Sequence, residues 1–264
     1  MVALVVVGVI LMILAGIALV IKMHKNAKED HIKYEMFYFP NFPKTFKEIT
    51  IFFISDIHRR EVSTSIVEEA KGIAELVIIG GDLLESGVSL ETVRSNLKKL
   101  KDIGPVFFVW GNNDYEADVE ELRDLLEEEG VTVLDNRSVS FTSPKKQKWH
   151  LVGIEDRSLE HDDLDKALQG IKKSAFKILI SHNPKIMEDL TDDHGVTLVL
   201  SGHTHGGQIR ILGFGPYEKG TTKVIGKTTI LVSNGYGTTS IPLRLGAKPE
   251  THIIKIQHTQ DKRI

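Results

Sequence analysis

The sequence predicts an α/β fold behind a single N-terminal membrane-spanning helix, and three observations lead there. Residues 2–21 carry no charged side chain. Downstream, short continuous apolar runs alternate with stretches whose apolar residues recur at helical spacing. Five of those runs end in polar clusters: Asp56-Ile57-His58, Gly80-Gly81-Asp82, Gly111-Asn112-Asn113-Asp114, Ser181-His182-Asn183-Pro184 and Gly202-His203-Thr204-His205-Gly206-Gly207.

The apolar run comes first along the chain. A helix of about 20 residues spans roughly 30 Å, the thickness of a bilayer core. Only Met1 precedes the run, without the basic stretch and cleavage site of a signal peptide. Lys22, Lys25 and Lys28, with His24 between them, follow it, and the positive-inside rule puts that side in the cytoplasm. The expectation is an uncleaved single-pass anchor over residues 1–22 in the cell membrane, with the folded domain cytoplasmic. An exported domain behind a signal anchor is the alternative. Residues 23–47 read as a linker and first strand region, charged up to His31, and residues 48–264 as the domain.

Within that domain, residues 51–54 read as a buried strand, followed by a helix over 65–74 with Ser65 and Glu68 as a capping box. Residues 77–79 form the next strand. Val93, Leu97 and Leu100 share one face of a helix over 89–101, and residues 106–109 make a further apolar strand. A helix over 117–129 carries Val119, Leu122 and Leu126 on one stripe and ends at Gly130. These are βαβ units, and continuous apolar strands imply a sheet covered on both faces. From 131 to 153, and again from 208 to 257, the pieces are strand-like, so two central sheets with helices outside fit the pattern. Gly213, Gly215 and Gly220 lack the ending of a phosphate loop and read as turns.

Composition narrows the function. The chain has 264 residues, 41 % of them hydrophobic, enough for one large domain and an appendage. It contains no cysteine, which excludes disulfides and thiolate metal sites. Its 33 basic and 36 acidic residues are well mixed at net charge -3, so no basic stripe offers itself to a nucleic-acid backbone.

The strand-end clusters carry the chemistry. In open α/β sheets, ligands bind where loops converge at the carboxyl ends of strands. Carboxylate, imidazole and amide oxygen suit Mn²⁺ first, with Fe²⁺, Zn²⁺ or Ni²⁺ as alternatives, and the lack of sulfur points away from structural zinc. Two adjacent ions need a carboxylate that bridges them, and Asp82, after two glycines, is the candidate. His203 and His205 can reach different ions from one loop.

The order D-x-H, GGD, GN-x-D, H, GHTHGG resembles the calcineurin-like metallophosphoesterases over residues 51–256. The segment Ser233-Asn234-Gly235-Tyr236-Gly237-Thr238, with Pro242-Leu243-Arg244 and Pro249-Glu250, is similar to the branch with membrane-anchored bacterial members. The resemblance implies a four-layer α/β-β/α sandwich. It also implies that Asp56, His58 and His205 hold one metal with Asp82, while Asn112, His182 and His203 hold a second with the same Asp82. The implied reaction is hydrolysis of a phosphodiester, phosphomonoester or pyrophosphate by a metal-bridging hydroxide, on a phosphorylated small molecule or a lipid-linked substrate. Arg59 is a candidate phosphate contact.

One position departs from the family pattern. Most members carry histidine where this chain has Asn113, and asparagine cannot protonate a leaving oxygen. Three explanations follow: a leaving group that needs no proton, a substitute such as His161, or a metal-binding scaffold with little activity. A metal-dependent nuclease is a further alternative. Asp114 is expected to orient the site by hydrogen bonding rather than to ligate metal.

Overall fold

Successive residues of a strand face opposite ways, and in β2 (Glu48–Ile54) both faces are buried. Ile51 and Phe53 enter one apolar core while Phe52 and Ile54 enter another. The same split recurs in β8 (Phe176–Ile180), where Ile178 and Ile180 share the core of Ile51 and Phe53 but Leu179 joins a third. Two sheets therefore meet through a central core, and each buries its outer face under helices. The computed structural model describes residues 1–259.

One sheet is built from β1 (Ile32–Phe39), β12 (Thr251–His258), β2, β3 (Leu76–Gly80), β4 (Val106–Val109) and β5 (Thr132–Val133), in that spatial order. Strands β2 to β5 run parallel, and β12 lies antiparallel to β2 but parallel to β1. The other sheet has the order β10 (Thr221–Ile225), β11 (Thr228–Val232), β9 (Leu198–Ser201), β8, β7 (Lys148–Gly153), β6 (Arg137–Thr142). Val93 and Leu97 of α3 (Leu90–Lys101), and Leu122 and Leu126 of α4 (Val119–Glu128), cover the first sheet with α2 (Thr64–Ala70). Ala167 of α5 (Leu164–Leu168) lies over the second. The two sheets with outer helices are as predicted.

The element ends differ in instructive ways. The helix expected at 65–74 is α2, capped by Ser63, whose Oγ accepts from Ile66 N (3.4 Å). Ser65 is not the cap, because its hydroxyl donates to Asp30 Oδ2 (2.8 Å). The helix stops early because Lys71 turns extended and Gly72 takes φ +77°. α4 begins two residues after Ala117, with Asp118 accepting from Glu120 N and Glu121 N. α5 has no counterpart in the sequence reading, since five residues are too few to show a helical period.

The N-terminal helix α1 (Val2–Ala27) is longer than its apolar run. Its apolar window, of mean hydropathy 3.3, contains no buried residue, and its length and composition make it a candidate membrane span. The last turn is different: Met23 and Ala27 are buried against the domain. Arg244 N donates to Met23 O (3.0 Å), and Asn26 Nδ2 returns a bond to Arg244 O (3.2 Å). The charged segment after the apolar run is therefore mostly helix end, fastened to the domain.

Candidate metal centre

β2 ends at Ile54, and the chain then turns twice, at Asp56 (φ +55°) and His58 (φ +51°). Asp82 after β3 (φ +51°), and His203 (φ +70°) and His205 (φ +49°) after β9, share this left-handed backbone. It costs a non-glycine residue about 1–2 kcal/mol and persists only where the surroundings over-determine it. Main-chain bonds do so here. Asp56 N donates to Gly81 O (3.0 Å), while Ile57 N and His58 N both donate to Asp82 O (2.8 and 3.1 Å). Two glycines make room for the carboxylates: a Cβ at Gly111 would stand 2.3 Å from Asp82 Oδ1, and one at Gly202 2.3 Å from Asp56 Oδ2.

The side chains meet as two imidazole pairs joined by a carboxylate. His58 Nε2 lies 3.1 Å from His205 Nε2, and His182 Nε2 3.2 Å from His203 Nδ1. Asp82 Oδ2 stands between the pairs, 3.1 Å from His182 Nε2 and 3.7 Å from His58 Nε2. Asp56 Oδ1 is 3.3 Å from His205 Nε2, and Asn112 Oδ1 2.9 Å from His203 Nδ1. Asp56, His58, Asp82, Asn112, His182, His203 and His205 thus converge, although they come from five loops.

This donor set fits divalent cations. Two imidazole nitrogens at 3.1 Å need a proton or a cation between their lone pairs. Asp56 Oδ2 is buried and finds no hydrogen-bond partner among the described residues. Ligand atoms of Asp56, His58 and His205 lie within 4.8 Å of one another, and so do those of Asp56, Asp82 and His182. His182 Nδ1 donates to Gly80 O (2.8 Å), which fixes the ring so that Nε2 is the nitrogen turned toward Asp82 and available to a cation in place of a proton.

Burial opposes ionisation of Asp56, but His205, His182 and His58 beside it hold its carboxyl well below the usual range. Asp82 is likewise lowered against burial, chiefly by His182. His182 is raised to about 10 in spite of burial, because Asp82 faces it. Burial and the His182 charge bring His203 down to about 4.

Three residues around this centre carry no ligand pattern in the sequence. Glu85 Oε2 sits 3.1 Å from His58 Nδ1. It also holds Arg59 Nε, whose Nη2 donates to Ser86 O (2.9 Å). Arg244 is fully buried, and its Nη2 hydrogens serve Asn234 O and Gly237 O at 2.7 and 2.6 Å. That fixes a cation 3.2 Å from His205 Nδ1; burial first, then the neighbouring His58 and this guanidinium, lower the His205 pKa and favour the neutral imidazole, the form that binds metal. Asn234 in turn is clamped by Glu250 through its N–H and its Nδ2, both at 2.8 Å. Asn234, Arg244 and Glu250 belong to the family-like late segment, but their contacts with the centre show only in the fold.

Asp114 accepts four backbone N–H bonds, from Gly111, Asp82, Leu83 and Leu84, at 2.8 to 3.1 Å. Burial and the Asp82 charge push its carboxyl up to about 7, yet both oxygens are occupied by donors and an O–H would have no acceptor. The ionised form is the one this geometry holds. Asn113 N donates to Asp82 Oδ1 (2.8 Å). Its side chain accepts from Asn112 Nδ2 (3.2 Å) and donates to Glu116 Oε1 (2.6 Å), which turns the Asn112 oxygen toward His203.

A cavity of about 380 Å³ opens onto Asp82, Asn112, Asn113, His203 and His205, walled by Pro216, Tyr217 and Ile241. Neither Arg59 nor His161 lines it. His161 instead stacks edge-on against Tyr115, with ring centroids 5.0 Å apart.

Comparison with known proteins bears on this arrangement. The family model described as calcineurin-like phosphoesterase matches residues 49–207. A Bacillus subtilis (strain 168) protein, YpbG, is 45 % identical over 244 residues, covering 92 % of this chain and 93 % of its own length. The phosphodiesterase YaeI of Escherichia coli (strain K12) is 27 % identical over 244 residues, 85 % of this chain and 87 % of its own. A Danio rerio transmembrane protein with a metallophosphoesterase domain is 32 % identical over 238 residues, 80 % of this chain but 54 % of that longer protein.

Proposed function

Because the chain belongs to the calcineurin-like phosphoesterases, metal-dependent hydrolases of phosphoric esters, we propose that it cleaves a phosphodiester or pyrophosphate while anchored in the cell membrane by α1. The observation that supports the active-site reading is Asp82 Oδ2 lying between two imidazole pairs. In this reading Asp56, His58 and His205 would hold one divalent ion with Asp82, and Asn112, His182 and His203 would hold a second with the same carboxylate. Mn²⁺ is the first choice, with Fe²⁺, Zn²⁺ and Ni²⁺ as alternatives. Such ions supply Lewis acidity and bring the pKa of a bound water from about 15.7 toward about 7.

The protein's own groups have separate tasks. Asp56 and Asp82 supply the negative charge that the ions neutralise. Asp114 holds the backbone of the second and third loops in place through four N–H bonds. Asn113 aims Asn112 and offers no proton, so the substrates it suits have leaving groups stable as anions, such as anhydrides or aryl phosphates. Arg59 acts through Glu85 on His58 and reaches a phosphate only by leaving Glu85. The span, its basic flank and a cytoplasmic domain belong to the same proposal, as do residues 1–22 as anchor and 48–264 as catalytic domain.

The test is an assay of the metal-depleted full-length protein with each ion added back, against nucleotides, lipid pyrophosphates and bis(p-nitrophenyl) phosphate. Turnover that appears with an added ion is the expected result. Bound metal with no turnover on any substrate would make the protein a scaffold instead.

A further inference from the structure

The loop that follows His203 and His205, beyond the end of β9, carries an unusual tip. Ile211 N and Phe214 O close a hairpin over Leu212 and Gly213, and Ile211, Leu212 and Phe214 are 67, 93 and 81 % exposed. Three large apolar side chains on one turn are rarely left to water in a soluble monomer. The turn is also held rigid. Arg210 donates to Gly206 O (3.0 Å), to Gly213 O (2.7 Å) and to Tyr217 O, so its charge is spent on bracing the loop.

What lies beside this loop identifies what covers it. Arg210 N donates to Leu245 O (2.7 Å) and Leu245 N to Gln208 O (3.0 Å), which lays the base of the hairpin along residues 244–246. Arg244 of that same segment is bonded to Met23 and Asn26 in the last turn of α1. His24 Nδ1 donates to Pro242 O (3.1 Å) close by, and Ile241 is 48 % exposed. With Met23 and Ala27 buried, no slack remains between the span and this face. The apolar surface of α1 thus continues into the apolar tip, past the exposed cations Lys22, Lys25 and Lys28 that suit an anionic headgroup layer.

We infer that the loop over residues 208–217 inserts into the membrane surface beside α1, so that the metal centre opens at the headgroup layer and takes a phosphoester carried by a membrane lipid. This rests on the reading of α1 as a membrane anchor. The same loop supplies Gln208, Pro216 and Tyr217 to the wall of the catalytic cavity, so inserting it sets that wall at the interface. An adjoining groove of about 330 Å³ shares His203, Thr204 and Tyr217 with the cavity; Met187, Ile230 and Val232 give it an apolar part that suits an acyl chain, and Lys185, Lys219 and Lys223 line it as well, with Glu218.

The chain has no cysteine, so a single introduced thiol labels one place. Full-length Leu212→Cys, Val9→Cys and Lys145→Cys carry an environment-sensitive fluorophore in phosphatidylcholine and phosphatidylglycerol vesicles that contain a spin-labelled quencher lipid. Lys145 is an exposed position in the β6–β7 turn, at the other edge of the second sheet. The expected result is lipid quenching at positions 212 and 9 but not at 145. Quenching at 9 alone overturns the inference and leaves the anchor standing, whereas no quenching at 9 removes the anchor and the inference with it. A blue shift at 212 without lipid quenching means that protein covers the hairpin, which also overturns the inference. A second measurement uses turnover: Leu212→Asp with Phe214→Asp should lower cleavage of a vesicle-borne lipid phosphodiester about tenfold and leave bis(p-nitrophenyl) phosphate unaffected. Equal effects on both substrates, or none on either, contradict it.

Discussion

Asn113 is the residue whose chemistry bears most on substrate choice. With its carboxamide shared between Asn112 and Glu116, it positions a ligand and has no proton to give. Replacing it by histidine should raise turnover of alkyl phosphoesters more than that of anhydrides, within the roughly 10²- to 10⁴-fold range of general-acid help. Parallel kinetics on an alkyl phosphodiester and a pyrophosphate check this, and equal gains on both would defeat the leaving-group argument. Gly202 is a second sensitive residue, because a Cβ there would stand 2.3 Å from Asp56 Oδ2. Gly202→Ala should displace that carboxylate and weaken metal binding by about tenfold or more in a calorimetric titration. Asp56, His58, Asp82, His182, His203 and His205 could be singled out by residue type at strand ends. Glu85 could not, and Arg244 stands out only as part of the family-like late segment, with no sign of its contact to His205 39 residues away, because a ligand's supporting partner needs only to be close in space.

Among the elements, β12 carries a buried titratable group outside the metal centre. His252 pairs across from Phe53, 2 % exposed, with Nε2 3.1 Å from Ser233 Oγ. Burial, with the Lys33 charge added, lowers it from 6.5 to about 3. Below pH 6.5 the unfolded chain therefore binds a proton that the folded chain refuses, so this residue's contribution to stability falls as pH drops from about 6.5 toward 3. The loss is on the order of a few kcal/mol when complete. Denaturant titrations between pH 4 and 7 should show a steeper decline for the wild type than for His252→Gln, and identical slopes would exclude this role. The central strands are legible as continuous apolar runs buried on both faces, and the longer helices because apolar side chains recur at a period of 3.6, as in Val93, Leu97 and Leu100 of α3. The end of α2 and the whole of α5 are not, since single capping contacts and one helical turn leave no period to read.

Over the whole molecule, two six-stranded sheets bring five loops to one place, and their shared core supports that convergence. Phe53 is fully buried in this core one residue before the end of β2, two residues before the Asp56 turn begins. Phe53→Ala should cost about 3–5 kcal/mol of stability in a denaturant titration and lower metal occupancy with it. The sandwich is legible in the buried runs and the family resemblance, but the docking of α1 is not, because Met23 and Ala27 sit among Lys22, His24, Lys25 and Lys28 in a stretch that reads as a charged linker. The most direct test of the whole account is metal content measured together with phosphodiester turnover in wild type and Asp82→Asn. The account predicts two divalent ions per chain and turnover in the wild type, with loss of metal from both positions and of activity in the variant. Wild-type turnover by Asp82→Asn, or by protein stripped of its ions, would contradict it.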